Sequence, residues 1–218
     1  MIDEDSEQIG KAIVNAPYLL SILLSLGLVA SCAPTGTRPP SNPAQSVAFS
    51  CPAEGVQSRR IGSSTLVTYG KADPSDPTIC AAVVGNQPEG RWLYNWFKLP
   101  VSNEQQKRNA LANAFKGGPE YCYTEISKPS NSTGYTADVN ASYIYEHCWE
   151  QVGQKAIVIK GKTYNTIAIR DTEEGRAGNS FAVDRTIYYD IDSKIVLRVD
   201  ASTRRGTAIR GYENEVIK

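Results

Sequence analysis

The sequence predicts a mainly β protein, α+β only at the margin. The expected architecture is an antiparallel sheet of hairpins, arranged as a sandwich or half-barrel, with one covering surface helix near 103–116. Three observations carry this. Short runs that alternate apolar and polar residues recur from Gln57 to the C-terminus, and such alternation marks half-buried strands. Gly-, Asn- and Pro-containing turn clusters separate the runs at close spacing. Only one segment repeats its apolar residues at three and four. No long period recurs along the chain, which excludes a solenoid or propeller.

The elements follow in order. Gln57-Ser58-Arg59-Arg60-Ile61 and Thr65-Leu66-Val67-Thr68-Tyr69 read as a first hairpin across Gly62-Ser63-Ser64. Asp73-Pro74-Ser75-Asp76-Pro77 is a rigid turn, its two prolines outweighing any cation-site reading of its carboxylates. Arg91-Trp92-Leu93-Tyr94-Asn95-Trp96-Phe97 is a strand candidate that would place Trp92, Tyr94 and Trp96 on one face. Exposed, that row is a candidate aromatic binding face for sugar rings; buried, it is ordinary core. Ser102-Asn103-Glu104-Gln105 has the form of a capping box. Ala110, Leu111, Ala114 and Phe115 form one apolar stripe, and Gly117-Gly118-Pro119 ends the helix. The opposite face carries Gln, Lys, Arg and Asn and should be solvated.

Tyr121 to Ile126 and Ser142 to Trp149 alternate as strands around a loop, Lys128 to Asn140. Centring that hairpin near Tyr135 sets residue 122 opposite 148, 124 opposite 146 and 126 opposite 144. Ala156 to Ile159 turns at Lys160-Gly161-Lys162 into Tyr164 to Ile169. A polar loop is expected over Asp171 to Asn179. Arg185 to Asp190 and Lys194 to Val199 form the last hairpin, with Ile187 expected opposite Leu197 and Tyr189 opposite Ile195.

The N-terminal part has a different character. An apolar run, Leu19 to Leu28, ends in Val29-Ala30-Ser31-Cys32, and a Pro-rich segment follows. This stretch resembles the lipobox of a bacterial lipoprotein signal peptide. The resemblance implies that residues 1–31 are removed as a signal peptide. It also implies that Cys32 is the lipid attachment site, carrying a diacylglyceryl group and an N-terminal acyl chain such as palmitate. The acyl chains would hold the protein on a membrane. Ala33, where an Asp would imply inner-membrane retention, favours the outer membrane by the same resemblance, with the domain in the periplasm or at the cell surface. The charge pattern departs from a standard signal, since Asp3, Glu4, Asp5 and Glu7 precede the single cation Lys11. An uncleaved N-terminal anchor is the alternative. Residues 32–48 are expected to be the lipidated Cys and a Pro-rich linker, reaching about 45 Å at most. Residues 49–218 then form a single β-rich domain. The run from Ile157 through Gly161-Lys162-Thr163-Tyr164 to Tyr188-Tyr189-Asp190 and Lys194-Ile195-Val196 is similar to an end-of-domain pattern of secreted bacterial β-proteins. That second resemblance bears on fold alone.

Four cysteines remain beyond Cys32: Cys51, Cys80, Cys122 and Cys148. An even count in an exported domain reads as two disulfides. The hairpin register opposes Cys122 to Cys148, close enough to bridge. Cys51–Cys80 then follows by elimination. No Cys-x-x-Cys occurs and His147 is the only histidine, so no metal site is expected. The whole chain carries 23 cations and 23 acids. The leader's four acids and one lysine leave 22 cations against 19 acids beyond it. No basic run exceeds a pair, so no nucleic-acid partner is expected.

No residue set announces catalysis. A Ser–His–Asp or Cys–His machine must use His147, which lies in a strand beside Cys148. There is no Gly-x-Ser-x-Gly and no phosphate-binding Gly-rich loop. Glu125 and Glu146 fall on opposite sheet faces, because 124 and not 125 opposes 146. The sequence therefore predicts a non-enzymatic envelope lipoprotein without cofactors. It would be held to the membrane by its lipid and would act as a structural or interaction module, with other envelope proteins as candidate partners. Carriage of an apolar acyl chain in a half-barrel is the alternative, and a wall- or glycan-binding module at Trp92, Tyr94 and Trp96 is the third.

Overall fold

The computed structural model describes residues 44–127, 143–176 and 181–217. The expected signal peptide, Cys32 and the first part of the linker lie outside those residues, as does the loop 128–140. The described strands are β1 (Gln57–Arg60), β2 (Leu66–Asp73), β3 (Asp76–Val84), β4 (Gly90–Leu93), β5 (Phe97–Lys98), β6 (Tyr121–Ser127), β7 (Tyr143–Ile159), β8 (Lys162–Arg176), β9 (Ala182–Asp190), β10 (Val196–Arg205) and β11 (Tyr212–Val216). One helix, α1 (Glu104–Phe115), separates β5 from β6. The strands form a single antiparallel sheet in the order β5-β4-β3-β2-β1-β11-β10-β9-β8-β7-β6. The sheet is open, with β5 and β6 at its edges. The mainly β expectation stands, as one sheet with one helix packed on β6 and β7.

The first hairpin pairs Ser58 with Val67 as the alternation requires. The β6–β7 hairpin has the expected register throughout: Cys122 faces Cys148, Thr124 faces Glu146 and Ile126 faces Ile144. Cys51–Cys80 and Cys122–Cys148 are both disulfide-bonded.

A bulge explains how β7 serves two cores. Trp149 packs in a first apolar cluster with Leu111, Ile167, Ile169, Ile187 and Tyr189. Ile157 and Ile159 pack in a second with Tyr164, Ala168, Tyr188 and Leu197. All three β7 residues are odd-numbered, so an uninterrupted strand would place them on one face. The register slips by one between Gln151 and Gly153, and Gly153 has φ 115°. One inserted residue flips the parity. Both faces of β8 and β9 are therefore covered: Ile167 and Ile169 on one side, Ala168 on the other.

Six expectations need correction. The strand proposed over Arg91 to Phe97 is a hairpin. Tyr94 and Asn95 have φ 50° and 54°, and Leu93 faces Phe97 across the turn. Trp92, Tyr94 and Trp96 do not share a face: Trp92 packs on the second cluster, whereas Tyr94 and Trp96 belong with the first. Tyr94 is buried between Phe49 and Phe115. The capping box does not form, because Asn103 sits in the left-handed region without a side-chain cap and the Ser102 hydroxyl donates to Glu125 instead. The stretch beginning at Asp171 is strand as far as Arg176, held by pairing with both β7 and β9. In the last hairpin Ile187 faces Val199 and Tyr189 faces Val196. There the Asp190 carboxylate accepts from the backbone N–H and hydroxyl of Ser193, widening the turn, and the register shifts between Val196 and Arg198. Finally, residues assigned to the end of the linker are docked. The Gln45 N–H donates to the Gln151 side chain and the Val47 N–H to the Phe115 carbonyl. Gly117, at φ 68°, lets this segment pass, since a Cβ there would stand 3.1 Å from Ala44.

Candidate functional site

Strand parity assembles a cleft. On the C-terminal half of the sheet, Tyr123, Tyr145, His147, Trp149, Asp171 and Arg185 all project from the face that α1 covers. Cross-strand register makes them neighbours: Tyr123 opposes His147, Trp149 opposes Asp171, His147 opposes Glu173 and Asp171 opposes Arg185. Lys107 enters from α1, the turn after β4 contributes Trp96, and β5 contributes Phe97. The cavity they enclose is about 410 Å³ and opens to solvent on one side, within the usual size of a small-molecule site.

Most of the ionisable groups there are paired. Arg185 donates through Nη1 to Asp171 Oδ2 at 2.8 Å and through Nη2 to Glu173 Oε2 at 2.7 Å. Lys107 Nζ donates to Glu125 Oε2 at 2.6 Å and to the Ser102 carbonyl at 2.9 Å. The Ser102 hydroxyl donates to Glu125 Oε1 at 2.5 Å. His147 Nε2 lies 3.6 Å from Glu125 Oε2, and its ring stacks on Tyr123 with centroids 5.1 Å apart. With His147 neutral, the two cations Lys107 and Arg185 face three carboxylates, so the cleft carries one excess negative charge.

Burial sets the proton affinities. It pushes the Asp171 carboxyl up to about 6, despite the opposing pull of Arg185. Glu125 goes the other way: burial would raise it, but hydrogen bonds from Lys107 and Ser102 outweigh that and hold it below the usual range. Burial lowers His147 against the charges of Glu173 and Glu125, favouring neutral imidazole. Burial, with Asp171 and Glu125 nearby, raises the Tyr123 phenol.

Three buried polar atoms in the cleft lack a hydrogen bond of ordinary geometry among the described residues: Tyr123 Oη, Trp149 Nε1 and Asp171 Oδ1. Such groups cost free energy where nothing meets them.

Of the residues singled out from sequence, Trp96, Glu125 and His147 reach this cleft. Trp92 and Tyr94 lie elsewhere, and His147 enters it as a paired side chain. Sequence reasoning missed Lys107, taken as part of the solvated helix face, and Asp171 and Glu173, taken as loop. A usable signal existed: the odd positions Ile167, Ile169, Asp171 and Glu173 continue one period-two series. Glu120, Cys122 and Cys148 gather donor atoms within 4.8 Å, but both sulfurs are spent in a disulfide and offer no thiolate.

No protein-family model matches the chain, and no curated protein matches it significantly. Among solved structures it is similar to the hypothetical lipoprotein YmcC from Escherichia coli, with a TM-score of 0.42 and 14% identity. That likeness covers 81% of this chain and 90% of the other, and it is too loose to carry either fold or function.

Proposed function

We propose that this is a lipid-anchored protein of the bacterial envelope, whose β domain acts outside the cytoplasm as a non-catalytic binding and interaction module. The observation that carries this is Val29-Ala30-Ser31-Cys32 at the end of an apolar run. The two disulfides support it, since such bonds persist in oxidising compartments and are rare in the cytosol. Ala33 favours outer-membrane sorting. Among the described residues no hydroxyl or thiol is hydrogen-bonded to His147, and the nearby Ser102 hydroxyl is engaged by Glu125, so no nucleophile–base pair supports catalysis.

The cleft favours a polar small ligand over an acyl chain. A hydrocarbon there would strip the remaining solvation of Glu173 and His147 and leave Asp171 Oδ1 unmet, which is costly. Asp171 Oδ1, without a partner, and the poorly aligned Tyr123–Trp149 pair favour this reading specifically.

Labelling cells that express the full chain with an alkynyl fatty acid tests the anchor. We expect label and a diacylglyceryl mass increment on Cys32, both absent from Cys32→Ala. An intact leader with unlabelled Cys32 overturns the proposal.

A further inference from the structure

We propose that the cleft between α1 and strands β6–β9 binds a hydroxylated primary amine, of the amino-sugar or amino-alcohol class. The ammonium would sit against Asp171 and Glu173 and a neighbouring ligand oxygen against Trp149 Nε1. This deepens the ligand-binding reading above and rests on it.

The hydrogen-bonding types define the class. Asp171 Oδ1, on a side chain only 4% exposed, is unpartnered and, when ionised, only accepts. It calls for a donor. Trp149 Nε1, in a residue 1% exposed, only donates, and its approach to the Tyr123 phenol lacks ordinary hydrogen-bond geometry. It calls for an acceptor. The two residues are directly opposed on β7 and β8, so their side chains begin about 5 Å apart. A ligand that presents a donor and an acceptor close together would meet both. Tyr123 Oη, which Trp149 approaches in that way, takes either kind.

Charge then separates an amine from a neutral alcohol. On β6 Glu125 is neutralised by Lys107 from α1. On β9 Arg185 supplies one positive charge against two carboxylates of β8, Asp171 and Glu173. His147 on β7 is biased towards its neutral form. The surplus negative charge lies at the β8 pair, beside the free Oδ1. A bound ammonium would cancel it; a proton is its competitor. Trp96 and Tyr145 give the cavity partly exposed aromatic walls against which a sugar ring or alkyl body can rest. The second depression, about 610 Å³ beside β3–β5, contains no comparable unpartnered buried group among the described residues.

Titration calorimetry on the full chain in detergent micelles tests this, with glucosamine and ethanolamine as probes and glucose and N-acetylglucosamine as controls. We expect both amines to bind, with the controls weaker by about tenfold or more. Amine affinity should fall at least about fivefold from pH 7 to pH 5, as the proton taken up at Asp171 replaces the ligand's charge. Asp171→Asn and Glu173→Gln each remove the surplus charge and should weaken the amines about tenfold. Glu173→Gln serves if Asp171→Asn fails to fold. The proposal is overturned if neither amine binds at about 10 mM, if the controls bind as well as the amines, or if the folded variants bind like wild type. Fatty-acid labelling of the same preparation reports the anchor separately, so losing the ligand with the label retained defeats this inference alone.

Discussion

Lys107 shows how much one side chain's setting matters. By helical position it belongs to a face of Gln, Arg and Asn, yet it is 5% exposed, with its ammonium on Glu125. The left-handed Asn103 turns the chain entering α1, and this brings Ser102 and Lys107 onto the same carboxylate. Lys107→Met should leave Glu125 without its counter-charge and cost about 2 kcal/mol, less than a fully dry pair because the cleft admits water. Urea unfolding of variant and wild type measures it. Asp171 gives a prediction of defined sign. Its carboxyl takes up a proton near pH 6 when folded and near pH 4 when unfolded, as a model aspartate does at about 3.9. Between those values the folded state binds more protons, so this group's contribution is fully present below the unfolded pKa and is lost as pH rises through about 6. Relative to Asp171→Asn, the wild type should lose about 2–3 kcal/mol between pH 4 and pH 7, read from unfolding curves at each pH. The sequence shows that these residues are charged. It does not show which of them meet, because Lys107–Glu125 and Asp171–Arg185 are contacts between elements.

At the scale of elements, the hairpins were legible where side chains or short turns fixed the register. Alternation and a hairpin centred near Tyr135 put Cys122 opposite Cys148, and the β6–β7 register agrees. Local reading failed wherever a bulge or a positive-φ turn intervened. Trp92, Tyr94 and Trp96 alternate like a strand, but Leu93 closes a turn onto Phe97 and the aromatic row is divided between two cores. The bulge at Gly153 is likewise invisible to alternation, since Trp149 and Ile157 share parity and differ in face. Gly153→Ala puts a side chain at a φ of 115°, where L-residues are strained. It should cost about 1–3 kcal/mol. Near-ultraviolet circular dichroism should also weaken if the slip in register loosens Trp149 and the Ile157 core together, whereas unchanged stability would mean that the bulge does not depend on glycine.

Across the whole molecule, two runs of strands meet at one seam. β1 to β5 and β6 to β11 are each sequential meanders, joined where β1 pairs with β11 through Ser58–Val216, Arg59–Glu215 and Arg60–Asn214. Each run has its own disulfide, closing sequence separations of 29 and 26 residues. By loop-closure entropy each contributes about 3–4 kcal/mol. Replacing either pair by alanines should lower stability by about that amount, and urea midpoints with and without reductant check it. Gln45 and Val47 are docked on the domain, so the end of the predicted linker is part of the fold and not of a spacer.

By itself the sequence determined that the chain is mainly β with one helix, how its cysteines pair, and that its N-terminus resembles a lipoprotein signal. Period-two alternation, turn chemistry and a four-residue motif are local properties of a chain. Tertiary structure alone decided which carboxylates become buried, which cations reach them and which polar atoms are left open in the cleft. Those outcomes depend on bulges, strand register and the placement of α1, and each is settled by packing between segments far apart in sequence.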